Sequence, residues 1–200
     1  MNYDNKNNVT NQHIVDKVLR GDTNAFRTIM ENTEGLVAQI IFRMIPYTED
    51  RKDIAQDIYL KIFKNLASFK FQAKLSTWIG QIAYNTCINH LEKKKLIFPG
   101  NMNDDGFANE VFLSKEAHPF DNQTEERIFK KELSEILKIE IDKLSPVYKT
   151  LIMLYHNEEL SYAEIAQITE LPEGTVKSYL NRARKALKDN LSPFYQKRIL

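Results

Sequence analysis

The sequence predicts an all-α protein made of two small helical domains joined by a flexible linker. Three observations carry this. Apolar residues recur every three or four positions over 12–95 and again beyond 125, the period of helices with one buried face. No segment alternates with period two beside turn dipeptides, so strands are not expected. Between the periodic regions lie Pro99, Gly100, Asp104, Asp105, Gly106 and Pro119, a composition that suits a linker. The expected boundaries are 1–97 for the first domain, 98–124 for the linker and 125–200 for the second domain.

Each element has its own signal. Leu36, Val37, Ile40, Ile41 and Met44 mark one helix, which Pro46 and the polar stretch YTEDRKD end. From Asp53 to Leu66, Ile54, Ile58, Ile62 and Leu66 repeat every four residues, and Ala55, Tyr59 and Phe63 broaden that stripe into a buried face. Ser76 or Thr77 is the expected N-cap of the following helix. That helix runs through Trp78, Ile79, Ile82 and Ala83 to about Lys94, with Trp78 expected in the core. Asn122 or Thr124 is the expected cap of a helix carrying Ile128, Phe129, Leu133, Ile136, Leu137 and Ile141. Ser145-Pro146 opens another, which holds Val147, Leu151, Ile152 and Leu154.

Composition narrows the function classes. The 200 residues are 42% hydrophobic and 28% charged, the balance of a soluble globular chain. No apolar run approaches the ~18 residues of a membrane helix. The polar start MNYDNKNNVTNQ holds no signal-peptide core, so a cytoplasmic location is expected. Cys87 is the only cysteine, and His13, His90, His118 and His156 form no i, i+4 pair. A disulfide framework and a metal site are therefore not expected. Six glycines form no phosphate-binding loop, so no cofactor is expected. The absence of any nucleophile–base or metal constellation argues against an enzyme. Net charge is only +1, but it is segregated. Residues 99–126 hold seven acids and one base, whereas 174–188 hold five bases and no acid, and Lys93, Lys94 and Lys95 form a second basic cluster.

The most informative stretch is LSYAEIAQITELPEGTVKSYLNRARKALK, Leu160 to Lys188. Ser161 and Glu164 make a capping box. Ile165, Ala166 and Ile168 face inward, with Ala166 small where a second helix crosses. Leu171 plugs a turn, and Pro172 starts the next helix. There Val176, Leu180, Ala183 and Leu187 form one stripe. The opposite face presents Glu173, Thr175, Lys177, Ser178, Asn181, Arg182, Arg184, Lys185 and Lys188. This is the layout of a helix-turn-helix unit, whose second helix enters the DNA major groove. Short polar residues reach base edges there, and Lys and Arg hold phosphates.

LPEGTVKS followed by RARKAL resembles region 4 of bacterial RNA polymerase sigma factors of the extracytoplasmic-function (ECF) group, in the sigma-70 family. KLSPVYKTLIMLYHNEELSYAEIA resembles the rest of that region, and DIAQDIYLKIFKNLASF and STWIGQIAYNTCINHLEKK resemble region 2. The likeness covers roughly 25–95 and 125–188. It implies a factor that binds core polymerase, recognises −10 and −35 promoter elements and helps open the duplex. Implied partners are the clamp coiled coil of the largest polymerase subunit, the flap of the second-largest, promoter DNA and, in many such proteins, an anti-sigma factor. The acidic linker suits a polymerase path otherwise used by nucleic acid.

On Asp53–Leu66 the face opposite the apolar stripe carries Asp53, Gln56, Asp57, Leu60, Lys61 and Lys64. Leu60 stands apolar among polar neighbours. A lone exposed leucine has no meaning by itself, but one anchor with a polar rim also describes a docking face. The resemblance implies the second reading, with Asp53, Gln56, Asp57, Leu60 and Lys64 on polymerase. The loop FKFQAKLSTW and the helix after it are implied to hold the −10 element, through Lys70, Phe71, Gln72, Lys74, Asn85, Lys93 and Lys94. Aromatics beside lysines suit single-stranded DNA. Glu173, Thr175, Lys177, Ser178, Asn181, Arg182, Arg184 and Lys185 are expected at the −35 element. Gln81 and Tyr84 stand where the family commonly has arginine, Glu170 where it often has glycine, and Tyr179 and Asn181 where basic residues or histidine are common. A stand-alone helix-turn-helix regulator with a sensor or dimerisation module is the competing reading.

Overall fold

A computed structural model describes residues 3–97 and 125–196. The all-α expectation holds: the described residues form eight α-helices and one 3₁₀ turn, with no strand among them. The helices are α1 (Tyr3–Leu19), α2 (Thr23–Met44), α3 (Thr48–Asn65), α4 (Leu75–Ile97), α5 (Glu125–Asp142), α6 (Pro146–His156), α7 (Tyr162–Thr169) and α8 (Glu173–Gln196). The linker 98–124, with the candidate caps Asn122 and Thr124, lies outside the described residues.

Local chemistry explains most boundaries. Gly21 takes φ +98°, separating α1 from α2. The Asp22 carboxylate then accepts the backbone N–H groups of Asn24 and Ala25, which satisfies two otherwise orphaned donors. Ser145 caps α6, with Pro146 opening the helix. Both bonds of the Ser161–Glu164 capping box are present.

Four expectations need correction. Helix α1 extends through the polar 3–11 stretch, N-terminal to the expected periodic region. The polar stretch before Asp53 is mostly helix, because α3 begins at Thr48. Glu49 and Asp50 occupy its first turn, where negative charge suits the helix dipole. Ser76 and Thr77 lie inside α4, whose first turn is closed by the Trp78 N–H on the Lys74 carbonyl. Phe63 is 48% exposed instead of buried. Its ring meets Phe26 of α2 edge-on, with centroids 5.1 Å apart. Trp78 is partly buried against the core, with its ring 5.2 Å from Phe69.

The core runs through both halves of the chain. Ile29, Ile40, Met44, Ile58, Ile62, Leu66 and Ile79 fill the centre of α1–α4. Leu151, Leu154, Ile165, Val176, Leu180 and Ala183 fill that of α6–α8. The halves also meet, α2 against α6 and α4 against α7. The Cys87 side chain is fully buried, and burial pushes its thiol up to about 12. This cysteine is expected to resist thiol reagents at pH 8 in the native chain and to react fully in denaturant. Rapid native modification would contradict its placement.

A polar cluster ties α3 to α4. The Asp50 carboxylate accepts from the Lys94 ammonium and lies 3.2 Å from His90 Nε2. The Lys94 hydrogen bond, aided by His90, outweighs desolvation and holds the Asp50 carboxyl below its ordinary range. A depressed carboxyl stabilises the fold above its unfolded pKa and loses that contribution as pH falls through the folded one. Asp50→Asn is therefore expected to cost up to about 1 kcal/mol at neutral pH, the scale of a partly exposed pair. The difference between the two proteins is expected to be full at pH 7 and smaller at pH 3, which lies below the unfolded pKa of about 4. Thermal melts at both pH values check this.

Candidate DNA-facing and docking surfaces

On α8, burial of one stripe fixes the direction of the other. Val176, Leu180 and Ala183 are fully buried and Leu187 nearly so. Glu173, Lys177, Ser178, Asn181, Arg182, Lys185 and Lys188 are exposed, and Thr175 and Arg184 are half-buried. The bases are thus presented together along one side of the helix. Arg184 is the exception. Its guanidinium lies 4.7 Å above the Tyr155 ring, a cation–π contact. Tyr155 in turn stacks on Tyr162, with centroids 5.2 Å apart and an interplanar angle of 16°. Hydrogen bonds from Tyr155 and then Arg184 hold the Tyr162 hydroxyl below its ordinary pKa. Sequence reading missed these two tyrosines, although the S-Y start of α7 was in view. Only the fold brings α6, α7 and α8 together beside the basic face.

On α3, Asp53, Gln56, Asp57, Leu60 and Lys64 are all exposed. Leu60 is 50% exposed, and it is not alone. Phe63 lies one turn on, and across the groove Met30 of α2 is 36% exposed. The Tyr59 hydroxyl reaches the Met30 carbonyl at 3.5 Å, which joins the two helices along this edge. Asp57 and Lys61 pair at 2.8 Å beside Leu60. The result is an apolar strip with a charged rim, the anatomy of a protein interface. Phe63 was hidden from sequence reasoning because it adjoins Ile62 and reads as part of the apolar stripe.

The loop between α3 and α4 closes one side of a cavity of about 490 Å³. Phe71, Gln72 and Lys74 line it, together with Asn11 of α1 and Asn32 and Thr33 of α2. Phe71 takes φ +57°, a left-handed conformation rare for a bulky side chain. Its ring packs 4.6 Å from Phe69. Lys70 is exposed beside the cavity mouth residues in sequence. Asn85 and Lys93 lie on α4, half-buried and exposed respectively. Lys94 is turned elsewhere: it binds Asp50 and sits 3.9 Å over the Tyr47 ring. Asn11 and Asn32 were not anticipated, since α1 and α2 carry no loop signature at those positions.

Two of the positions that depart from the family pattern meet in space. The Gln81 amide donates to the Glu170 carboxylate at 2.7 Å. Glu170 itself ends α7 with φ 57° and ψ 21°, the left-handed geometry that a glycine supplies. The turn therefore keeps its shape without glycine. Burial, with a contribution from Tyr179, pushes the Tyr84 hydroxyl up to about 12.

Among the described residues no group of three or more His, Cys, Asp or Glu side chains is placed to hold a metal ion. No described helix is long and apolar enough to cross a membrane.

Comparison with known proteins places the chain in a family. The Sigma-70 region 2 family model matches residues 29–97, and the Sigma-70 region 4 model matches 135–187. The ECF RNA polymerase sigma factor SigW of Bacillus subtilis (strain 168) is 32% identical over 179 residues, covering 88% of this chain and 94% of that protein. The ECF RNA polymerase sigma-E factor of Escherichia coli (strain K12) is 31% identical over 189 residues, covering 94% and 98%. Among solved structures, CnrH in complex with the cytosolic domain of CnrY aligns with a TM-score of 0.60 at 16% identity, covering 94% and 97%. The sigma factor RpoE of Bartonella quintana, in complex with the anti-sigma factor NepR, aligns at 0.57 and 20% identity, covering 84% and 96%. These last two show the shared helical fold. With both regions matched in order and relatives similar over nearly their whole length, the chain belongs to the ECF RNA polymerase sigma factors, proteins of transcription initiation.

Proposed function

We propose that this chain binds core RNA polymerase through α3, reads the −35 element with α8 and holds the −10 element with the α3–α4 loop and α4. The exposed basic face of α8, set against its fully buried stripe, is the observation that carries this reading. Residues 1–97 act as the polymerase and −10 domain, 125–200 as the −35 domain, and 98–124 as the linker. The chain works in the cytoplasm and catalyses no reaction itself; polymerase does the chemistry. The partner of α3 is the clamp coiled coil of the largest subunit, and that of the second domain is the flap of the second-largest. An anti-sigma factor is a further partner, as it is for RpoE of Bartonella quintana.

In the proposed mechanism the polar face of α8 enters the major groove. Thr175, Lys177, Ser178, Asn181 and Arg182 approach base edges there, while Lys185 and Lys188 contact phosphates. Arg184 is a positioning residue that reaches phosphate only from its Tyr155–Tyr162 platform. At the −10 element an unstacked base enters the cavity, where the amides of Gln72, Asn32 and Asn11 offer donors and acceptors to its edge. Lys70, Lys74 and Lys93 follow the backbone, with Asn85 beside them. Extracting a base costs a few kcal/mol, and these contacts offset it.

Run-off transcription tests the reading as a whole. Core polymerase with the chain is expected to initiate at a cognate promoter, and core alone is not. A stand-alone regulator would bind duplex DNA without polymerase and leave core enzyme unable to initiate. Within that assay, Leu60→Glu and Phe63→Glu are expected to weaken core binding at least about fivefold, the equivalent of more than ~1 kcal/mol for a central anchor. Unchanged helicity by circular dichroism would accompany this. Equal affinity for core in both variants would remove α3 as the docking face.

A panel of single-base −35 variants separates the two sets on α8. Ser178→Ala or Arg182→Ala is expected to relax discrimination at one position by ~1–3 kcal/mol. Lys188→Ala is expected to weaken all sequences alike and lower the salt slope by about one. Altered base preference in Lys188→Ala, with none in the other two, would reverse the orientation of the helix.

A further inference from the structure

Positive charge is gathered, and only partly matched, where α2, α3 and α6 meet. Arg43 of α2, Arg51 of α3 and Lys149 of α6 are all half-buried. Their contacts join them into one cluster. Arg43 pairs with the Asp142 carboxylate at 3.1 Å, and the Lys149 ammonium donates to the Asp142 carbonyl at 3.3 Å. The Arg43 and Arg51 guanidiniums lie 5.6 and 4.6 Å from the centroid of one ring, that of Phe42. Among the described residues, Asp142 is the one carboxylate that pairs with any of the three. Glu158 meets Gln39, one turn before Arg43, at 2.6 Å. Three cations against one carboxylate leave a surplus of two positive charges.

The cluster is fixed in place. Arg51 donates from Nε to the Ile45 carbonyl at 2.9 Å, which anchors its fork at the turn between α2 and α3. Phe42 is 46% exposed, and its ring carries both guanidiniums. A guanidinium has five N–H donors, and one resting on a ring keeps in-plane donors for an oxyanion. Neither arginine is saturated by the bonds it makes. Burial lowers the Lys149 pKa; Asp142 opposes this, and Arg43 and Arg51 add to it. Long cationic side chains usually relieve such repulsion by turning their heads to water. These three stay together, with donors already oriented, which is the arrangement that favours a charge-assisted hydrogen bond to an anion.

We propose that Arg43, Arg51 and Lys149 form a binding site for a diphosphate group, free or carried by a nucleotide, with Phe42 as the platform that holds the two guanidiniums. The cations lie on both sides of Arg43 instead of converging on one point, which suits two linked phosphoryl groups better than one. Arginine forks match phosphate oxygens in pairs, and the lysine supplies a point charge. The surplus of two charges is what a polyanion neutralises. None of the three residues belongs to the surfaces assigned to polymerase or promoter DNA, so the site is additional to that role.

Calorimetric titration of the full chain with inorganic pyrophosphate and with ATP, at constant ionic strength, tests the site. One-to-one binding is expected. Lys149→Met and Arg43→Gln are each expected to weaken it at least tenfold, and Lys149→Arg, which keeps the charge, to stay within threefold of the unsubstituted chain. ATP at least tenfold tighter than pyrophosphate identifies a nucleotide as the source of the diphosphate; equal affinity identifies the free anion. A second measurement needs no variant. Saturating pyrophosphate is expected to slow acetylation of Lys149 by an amine-reactive ester at least fivefold, while the exposed Lys138 of α5 reacts as before. No binding, or Lys149 left unprotected, would overturn the site. So would affinity unmoved by Lys149→Met and Arg43→Gln but lost in Lys177→Gln, which would put the anion on α8. Tighter binding of a short polyglutamate peptide than of pyrophosphate would overturn it in favour of an acidic protein segment.

Discussion

A helix that buries one stripe has no freedom over what its opposite face presents, and α8 depends on this constraint more than any other element. Val176, Leu180 and Ala183 are sealed against α6 and α7. Rotation about the helix axis would expose them and bury Lys177, Asn181 and Arg182, and burying unpaired charge is far more costly than exposing a methyl group. The orientation of the basic face follows from the core. The same logic acts on α3, where Ile54, Ile58 and Ile62 go inward and Asp53, Asp57 and Leu60 are left outside. In the proposed reading recognition is built on helix backs, with the loop 69–74 as the main exception.

Polar side chains at the seam between the halves have a different character. Four of them pair across it: Gln39, Arg43, Lys74 and Gln81 with Glu158, Asp142, Glu164 and Glu170. Such contacts contribute little each when exposed, and they are easily exchanged for water or phosphate. The apolar part of the seam includes Gly80 against Ile168, within one buried cluster that runs through both halves. The stripes inside each half are apolar throughout and rest on no such pairs.

Legibility from sequence followed the range of the interactions involved. The capping box of α7, the Ser145–Pro146 start of α6 and the stripe of α8 rest on partners within a turn or two, and all were readable. The start of α3 was not. TEDRKD looks like a polar break, but Asp50 is held by His90 and Lys94, 40 and 44 residues away. Phe63 reads as part of the buried stripe because it adjoins Ile62, and only the path of α2 leaves it exposed. The Tyr155–Tyr162–Arg184 stack and the Gln81–Glu170 bond join residues that no periodicity connects. Gln81 and Glu170 each stood out from the family pattern, yet their pairing was visible only in three dimensions.

The central claim is that one chain presents α3 to polymerase and α8 to promoter DNA within the same initiation complex. Photo-crosslinkers placed singly at Leu60 and Ser178, in complexes assembled with core polymerase and a promoter fragment, test it most directly. The account predicts that Leu60 crosslinks to the largest polymerase subunit and Ser178 to DNA at the −35 element. Crosslinking of Ser178 to polymerase alone, or of Leu60 to DNA, would contradict it.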